Sequence, residues 1–245
     1  MPATLLKSIT CILIFSVTCG LLTGQNLVPN YSFDTISACP FIYGFPGPTL
    51  APPWVAPTDG TPDYFNVCAT NPQFGVPANY VGYQYPLAGD GYFGMISYGS
   101  GTNLREYLTA PLFQPLVADT WYEVSFYINL ANPHCGINKF GAYFSYIQPY
   151  LNDFHPLNFD PQVEANQGFL NDTVGWELVI GCFQAQGGEQ YITLGNFYTD
   201  AETQVESGCS TGIAYLLIEN VTVVETTEPE IIPLDLGGSA SACIS

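Results

Sequence analysis

Basic side chains are nearly missing from this chain: three Lys and Arg stand against 21 Asp and Glu in 245 residues. That deficit excludes a nucleic-acid footprint, which needs clustered cations to displace counterions from phosphates. It also argues against electrostatic docking on an anionic membrane. Histidine is just as scarce, with only His134 and His155, and neither lies in an HExxH pattern. Zinc-hydrolase chemistry therefore has no motif to stand on. No CxxC pair or close Cys/His cluster occurs, so the spacing of a structural zinc site is absent as well. Helical periodicity is hard to find, and the one long apolar run, Ile9–Leu22, is too short for a membrane span.

What is there begins with that run. Lys7, the apolar stretch and then Thr23-Gly24-Gln25 have the order of a secretory leader, with cleavage expected after Gly24. The division expected is a signal peptide at 1–24, one domain at 25–225, and an acidic linker with the start of a further, truncated immunoglobulin-like domain at 226–245. Loss of the leader leaves Arg105 and Lys139 as the only strong cations against 21 acids, a net charge near −19. That balance suits neutral partners or divalent cations, and solubility alone also explains it. Six cysteines remain. In an oxidising compartment they are expected to pair, and six allow fifteen pairings. Cys39–Cys68 is favoured because both flank one irregular segment, and Cys135–Cys209 comes second. Cys182, in an expected strand, reads as a buried free thiol, and Cys243 falls in the tail.

Short apolar or alternating runs recur between Gly and Pro signals, the pattern of an all-β chain. Strands are predicted at 26–33, 92–98, 105–112, 122–130, 141–147, 177–184, 191–197 and 214–224. In "YEVSFYINL", Tyr122, Val124, Phe126, Ile128 and Leu130 share one face, and Glu123, Ser125, Tyr127 and Asn129 the other. Some eight strands at this spacing predict a two-sheet antiparallel β-sandwich. Two stretches read as irregular: the proline-rich segment 34–84, and 149–171, a loop expected to lie over one sheet.

Several segments carry a resemblance. "NLVPNYSFD", "PWVAPTDGTPDYFNVCA", "GVPANYVGYQYPLAGDGYFG", "LREYLTAPL", "VSFYINLA", "GAYFS", "GGEQYITLGNF" and the closing "YLLIENVTVV" follow in order, over roughly 26–224. In that order they resemble exported Bacteroidetes modules with a jelly roll of the carbohydrate-binding, galactose-binding-like type. Relatives of that kind sit beside outer-membrane peptidoglycan-binding domains, immunoglobulin-like repeats or type IX sorting domains. The resemblance implies a secreted or cell-surface location, at the outer-membrane exterior or in the periplasm. It also implies a structural calcium between the first and last strands, for which Asp34 and Glu219 are the corresponding carboxylates. Glu219-Asn220 departs from the usual Asp-Asp pair and weakens that implication. No other cofactor is expected.

The binding equipment expected is aromatic. Sugars present C–H faces that stack on rings and hydroxyls that need amide or carboxylate partners. Trp54, Tyr64, Tyr80, Tyr83 and Tyr85 lie in the irregular segment with Gln84 among them. Two geometries compete: the loop lies over a sheet and its rings fill a second core, or it stands at the rim and rings face water. Arg105 reads either as a clamp on a sugar or carboxylate or as an internal ion pair. The expected function is non-catalytic recognition of carbohydrate or another surface ligand. The alternative is a structural or adhesive module contacting neighbouring protein domains. A glycan hydrolase would need a carboxylate pair, with Asp63 and Asp90 first in line.

Overall fold

A computed structural model describes residues 24–42, 47–166 and 168–229. Eleven strands are present in that part of the chain: β1 Asp63–Asn66, β2 Ala78–Asn79, β3 Gly82–Tyr83, β4 Gly91–Gly99, β5 Leu108–Pro111, β6 Trp121–Leu130, β7 Gly141–Ser145, β8 Val163–Glu164, β9 Glu177–Gln184, β10 Tyr191–Gly195 and β11 Ile213–Thr226. Two short 3-10 turns, Gly47–Leu50 and Pro72–Phe74, are the helical elements among the described residues. The strands form a five-stranded sheet in the order β1-β4-β11-β6-β9, a four-stranded sheet in the order β5-β10-β7-β8, and the small β2-β3 hairpin. Every pairing is antiparallel. The fold is a two-sheet antiparallel β-sandwich.

Alternation decides which residues fill the space between the sheets. On β6, Tyr122, Val124, Phe126, Ile128 and Leu130 are buried in the main core, whereas Trp121, Glu123, Ser125 and Tyr127 are half-buried on the other face. On β4, Phe93 and Met95 point into that core, while Tyr92 and the half-buried Ile96 point outward. On β11, Ala214, Leu216 and Ile218 face in and Tyr215 and Leu217 face out. A bulge between Glu219 and Thr222, with Asn220 at φ 53°, resets the register so that Val221 and Val223 also face in. Asparagine tolerates that left-handed conformation better than most residues.

Both sheets are also covered on their outer faces. The segment 67–86 lies over β1, β4 and β11, where Phe74 and Val81 close a second core with Phe65, Tyr92, Tyr215 and Leu217. The segment 151–159 lies over the four-stranded sheet, where Leu157 packs with Tyr107, Phe197, Tyr143 and Phe159. Cys39 and Cys68 are bridged, with Cα atoms 5.6 Å apart, as are Cys135 and Cys209 at 5.4 Å. Cys182 is half-buried and disulfide-bonded, which corrects its reading as a buried free thiol. The expected leader, Cys243 and the residues from 230 onward lie outside the described residues.

Two further expectations are corrected. Residues 26–33 are not a strand: the chain turns at Pro29, and Asn30 and Phe33 take φ of 47° and 61°. The segment still joins the sandwich, because Leu27 N–H donates to the Val223 carbonyl at 2.8 Å and the Asn26 side chain bonds Val221 and Val223. The segment 34–84 is not wholly irregular either. It contains β1, whose four residues Asp-Tyr-Phe-Asn pair with β4 from Asp63↔Gly94 to Asn66↔Gly91.

Candidate functional site

Most of the rings expected to bind are structural. Trp54 is fully buried, packs edge-on against Phe33 at 5.2 Å, and donates Nε1–H to the Asn30 carbonyl at 3.1 Å. Tyr64 is buried beside Phe93, donates its hydroxyl proton to the Phe33 carbonyl and accepts a bond from the Asn66 amide. Gln84 is buried as well, its backbone holding Pro77 and Tyr92. These three are corrected from ligand contacts to scaffold. Trp54 and Tyr64 point into the main core between the sheets, with Tyr64 on the inward face of β1, and Gln84 is buried under the loop that covers the outer face.

Of the two readings of Arg105, the structure shows the internal ion pair and not the ligand clamp. It is fully buried, with Nη2 2.9 Å from the Asp200 carboxylate, Nε donating to the Tyr198 carbonyl, Nη1 donating to the Leu104 carbonyl, and the guanidinium 5.1 Å from the Tyr98 ring. It pins the segment 198–200 to the strand connection before β5. Lys139 is likewise spoken for, 2.7 Å from Glu164 and 4.3 Å from the Tyr198 ring.

Tyr80 stands at the boundary. Its ring packs on Phe65 and Phe74, and its hydroxyl donates to the Asp63 carboxylate, which also accepts from Tyr215 at 2.7 Å. Burial raises the pKa of Asp63, and the two phenol bonds oppose that rise. A carboxylate held by two phenols in this way is a half-buried anchor that fixes the loop to β1 and β11. It is not an open acid.

Tyr83 and Tyr85 are different. They are 62% and 63% exposed, their rings meet edge-to-face at 5.6 Å and 89°, and their hydroxyls are hydrogen-bonded at 3.1 Å. The backbone under them is fixed. Gln84 N–H donates to Pro77, Trp176 Nε1–H donates to the Tyr85 carbonyl at 2.9 Å, and Gly82 (φ 147°) sits so near Asn132 that a Cβ would lie 3.3 Å from its carbonyl oxygen. Trp176 was not singled out from the sequence. The only available signal was a large ring just before a predicted strand. Tyr83 and Tyr85 are thus two rigidly mounted rings facing water on a loop whose Phe74 faces inward and whose Tyr80 packs at the boundary.

Asp34 and Glu219 come together at the same edge of the sandwich, as anchors for the loop before β4. Glu219 Oε2 and Oε1 accept the Leu87 and Ala88 N–H groups at 2.6 and 2.7 Å, and Asp34 Oδ1 accepts from Asp90 N–H at 2.8 Å. Burial pushes the Glu219 pKa up to about 7 against the pull of those two amides, with the Asp34 charge adding to the rise. Calcium takes six to eight oxygen ligands, whereas among the described residues no group of three or more His, Cys, Asp or Glu gathers that could hold a metal ion, and both Glu219 oxygens already accept N–H groups. This donor set fits an amide clamp and does not fit calcium.

Among the described residues, the two histidines sit apart, His155 on the surface and His134 beside Tyr215. His155 pairs with Asp153. His134 lies tilted against the Tyr215 ring, centroids 5.7 Å apart, close to the Ile213 backbone. Gly208-Cys209-Ser210-Thr211-Gly212 has the spelling of a Gly-x-Ser-x-Gly elbow. That motif needs a strand before it and a helix after it, and here a turn leads into β11 with Cys209 bridged to Cys135.

No protein-family model matches the chain, and no curated protein does. Among solved structures, it is similar to the K1 cleaved adhesin domain of Lys-gingipain from Porphyromonas gingivalis W83, at 16% identity over 83% of this chain and 100% of that one, with a TM-score of 0.41. It is similar to the Stig cyclase Fisc from Fischerella sp. TAU, at 10% identity over 81% and 96%, TM-score 0.48. It is also similar to TmCBM61, solved with β-1,4-galactotriose, at 13% identity over 82% and 99%, TM-score 0.37.

Proposed function

We propose that this chain is a secreted or cell-surface, non-catalytic module that recognises carbohydrate through Tyr83 and Tyr85. The observation that carries the reading is their exposure. Two tyrosines left in water, on a loop whose Phe74 is buried and whose Tyr80 is packed and bonded to Asp63, gain little from the fold, but they offer flat apolar faces to sugar C–H groups and hydroxyls to sugar oxygens. The loop's mounting supports it further: rings held by the Cys39–Cys68 bridge, Trp176 and the Asp63 anchor lose little freedom on binding. Charge narrows the ligand. Arg105 and Lys139 are both paired internally, so no free Lys or Arg is left among the described residues to meet a uronate or sulfate, which favours a neutral glycan. The bridges Cys39–Cys68 and Cys135–Cys209 and the bonded Cys182 support an oxidising, extracytoplasmic setting.

A glycan array probed with the full chain, wild type and Tyr83→Ala/Tyr85→Ala, tests this. Binding to neutral glycans that falls at least tenfold in the double variant, with an unchanged melting temperature, is the expected result. Uniform silence of the wild type across the array sinks the sugar reading in favour of a protein-contact module. Turnover of a glycan that is lost in Asp63→Asn overturns the non-catalytic assignment.

A further inference from the structure

We infer that the module carries a second glycan-binding site, a cleft on the outer face of the opposite, four-stranded sheet that takes a short stretch of uncharged oligosaccharide. The cleft has a volume of about 390 Å³ and lies between β7, the end of the loop that covers this sheet, and the turn before β10. Ligand clefts for small molecules run from roughly 300 to 1,000 Å³.

Its walls are built from rings. Tyr143 and Phe159 stack at 4.4 Å with planes 15° apart, and Tyr146, half exposed, lies over Gly188, where a Cβ would meet its ring at 3.5 Å. That is ordinary van der Waals contact, so it is the φ of 98° that favours glycine there. The tight turn beneath is held by Glu189, whose two oxygens accept the Gln186 and Gly187 N–H groups at 2.8 and 2.9 Å.

The polar groups in the cleft divide into committed and available. Glu189 is committed to the turn, and Gln162 is committed to β7, accepting from Phe144 N–H at 2.8 Å and donating to its carbonyl. Asn158 and Asp160 make no hydrogen bond within the described residues, and Gln186 uses only its oxygen, accepting from the Tyr146 hydroxyl at 3.3 Å. What remains open toward the ligand is one whole amide, one carboxylate and one NH₂ group beside ring faces, the donor and acceptor set that sugar hydroxyls require. No Lys or Arg lines the cleft. An anionic sugar would face Asp160 without a counter-charge, which selects for an uncharged one.

This site and the Tyr83–Tyr85 site lie over different sheets of the sandwich. One copy could then hold two glycan chains or two stretches of one, with an avidity that neither site has alone.

The test is isothermal titration of the full chain with cello-, manno-, xylo- and chito-hexaose, and with polygalacturonate as the anionic probe. Four proteins are compared: wild type, Tyr83→Ala/Tyr85→Ala, Tyr146→Ala/Asn158→Ala, and the quadruple variant. Thermal melts confirm folding, and Tyr146→Phe with Asp160→Asn replaces the alanine pair if it melts early. The expected result is that the Tyr83/Tyr85 variant still binds a neutral hexaose, the cleft variant loses at least tenfold of that residual binding, and polygalacturonate stays silent. The inference is overturned if the Tyr83/Tyr85 variant binds nothing, if cleft substitutions leave every affinity unchanged, or if polygalacturonate binds best. A cleft variant that abolishes binding while the Tyr83/Tyr85 variant does not removes the loop assignment and leaves the cleft standing.

Discussion

Tyr80, Tyr83 and Tyr85 occupy one loop within six residues of sequence, and the same substitution does different things at each. Tyr80 packs on Phe65 and Phe74 and bonds Asp63. Tyr80→Ala removes ring packing and leaves a half-buried carboxylate short of a donor, and is expected to cost about 2–4 kcal/mol. Tyr83→Ala touches little but its neighbour Tyr85, and is expected to stay within about 0.5 kcal/mol of wild type. Urea unfolding of the two variants measures the difference. A cost at Tyr83 equal to that at Tyr80 would make Tyr83 a packing residue and remove the argument for binding. Arg105 gives a second contrast at this scale. With the guanidinium fully buried against Asp200, Arg105→Ala strands a carboxylate and is expected to cost about 3–5 kcal/mol. For a domain this size, that lowers the melting temperature by roughly 6–20 °C. An unchanged melt would return Arg105 to the list of ligand contacts.

At the scale of elements, the loop 67–86 and the loop before β4 are held by different devices, and each can be removed. The Cys39–Cys68 bridge closes a sequence separation of 29. By the chain-entropy relation, Cys39→Ser/Cys68→Ser is expected to lower stability by about 3–4 kcal/mol, and glycan binding through Tyr83 and Tyr85 should weaken with it. Thermal melting and titration under non-reducing conditions read both. The loop before β4 depends on Glu219 and on Gly89, which has φ of 68° and would place a Cβ 2.2 Å from the Asp34 carboxylate. Because the Glu219 oxygens are filled by amides, EDTA is expected to leave the melting temperature within about 1 °C, well under the effect of 1 kcal/mol. A rise of several degrees on adding calcium would show that the clamp opens to a cation. Seven of the strands, β4 to β7 and β9 to β11, were legible in the sequence, whereas β2, β3 and β8 lie in stretches that read as irregular. β6 could be read from its alternation and β4, β9 and β11 from apolar runs between turn signals, and the two outer loops from proline content and length. β1 was not legible, because its four residues start and end on Asp63 and Asn66, which read as turn formers. The segment 26–33 read as a strand because its apolar residues alternate, and Pro29 and the positive φ at Asn30 override that pattern. The cleft on the four-stranded sheet could not be read at all. Tyr143, Asn158 and Gln186 are far apart in sequence, and only the turn at Gly187-Gly188 and the chain crossing at 158–160 bring them together.

The charge of the whole molecule ties these pieces to pH. With 21 acids and three basic residues, ionisation at neutral pH adds self-repulsion to the folded state, and two buried carboxylates concentrate the effect. Glu106 accepts the Thr61 and Ile96 N–H groups at 2.8 and 2.7 Å beside Asp63, and burial pushes its pKa up to about 7. Burial does the same to Glu219 beside Asp34. Unfolded, both return to an ordinary value near 4.5. The folded chain therefore holds more protons than the unfolded one between about pH 4.5 and 7, and stability must fall as pH rises through that window. The contribution is complete below about 4.5 and gone above about 7, the reverse of a fold held by ionised carboxylate pairs. Each glutamate contributes on the order of 1–3 kcal/mol to the difference. Urea unfolding at pH 5 and pH 8 is expected to show the greater stability at pH 5. Glu106→Gln, which keeps the shape and removes the charge, should flatten the profile by about half while preserving binding through Tyr83 and Tyr85. A profile that rises from pH 5 to pH 8 would mean that the amide bonds to Glu106 and Glu219 outweigh their burial, and that both are held as anions at every pH where the module works.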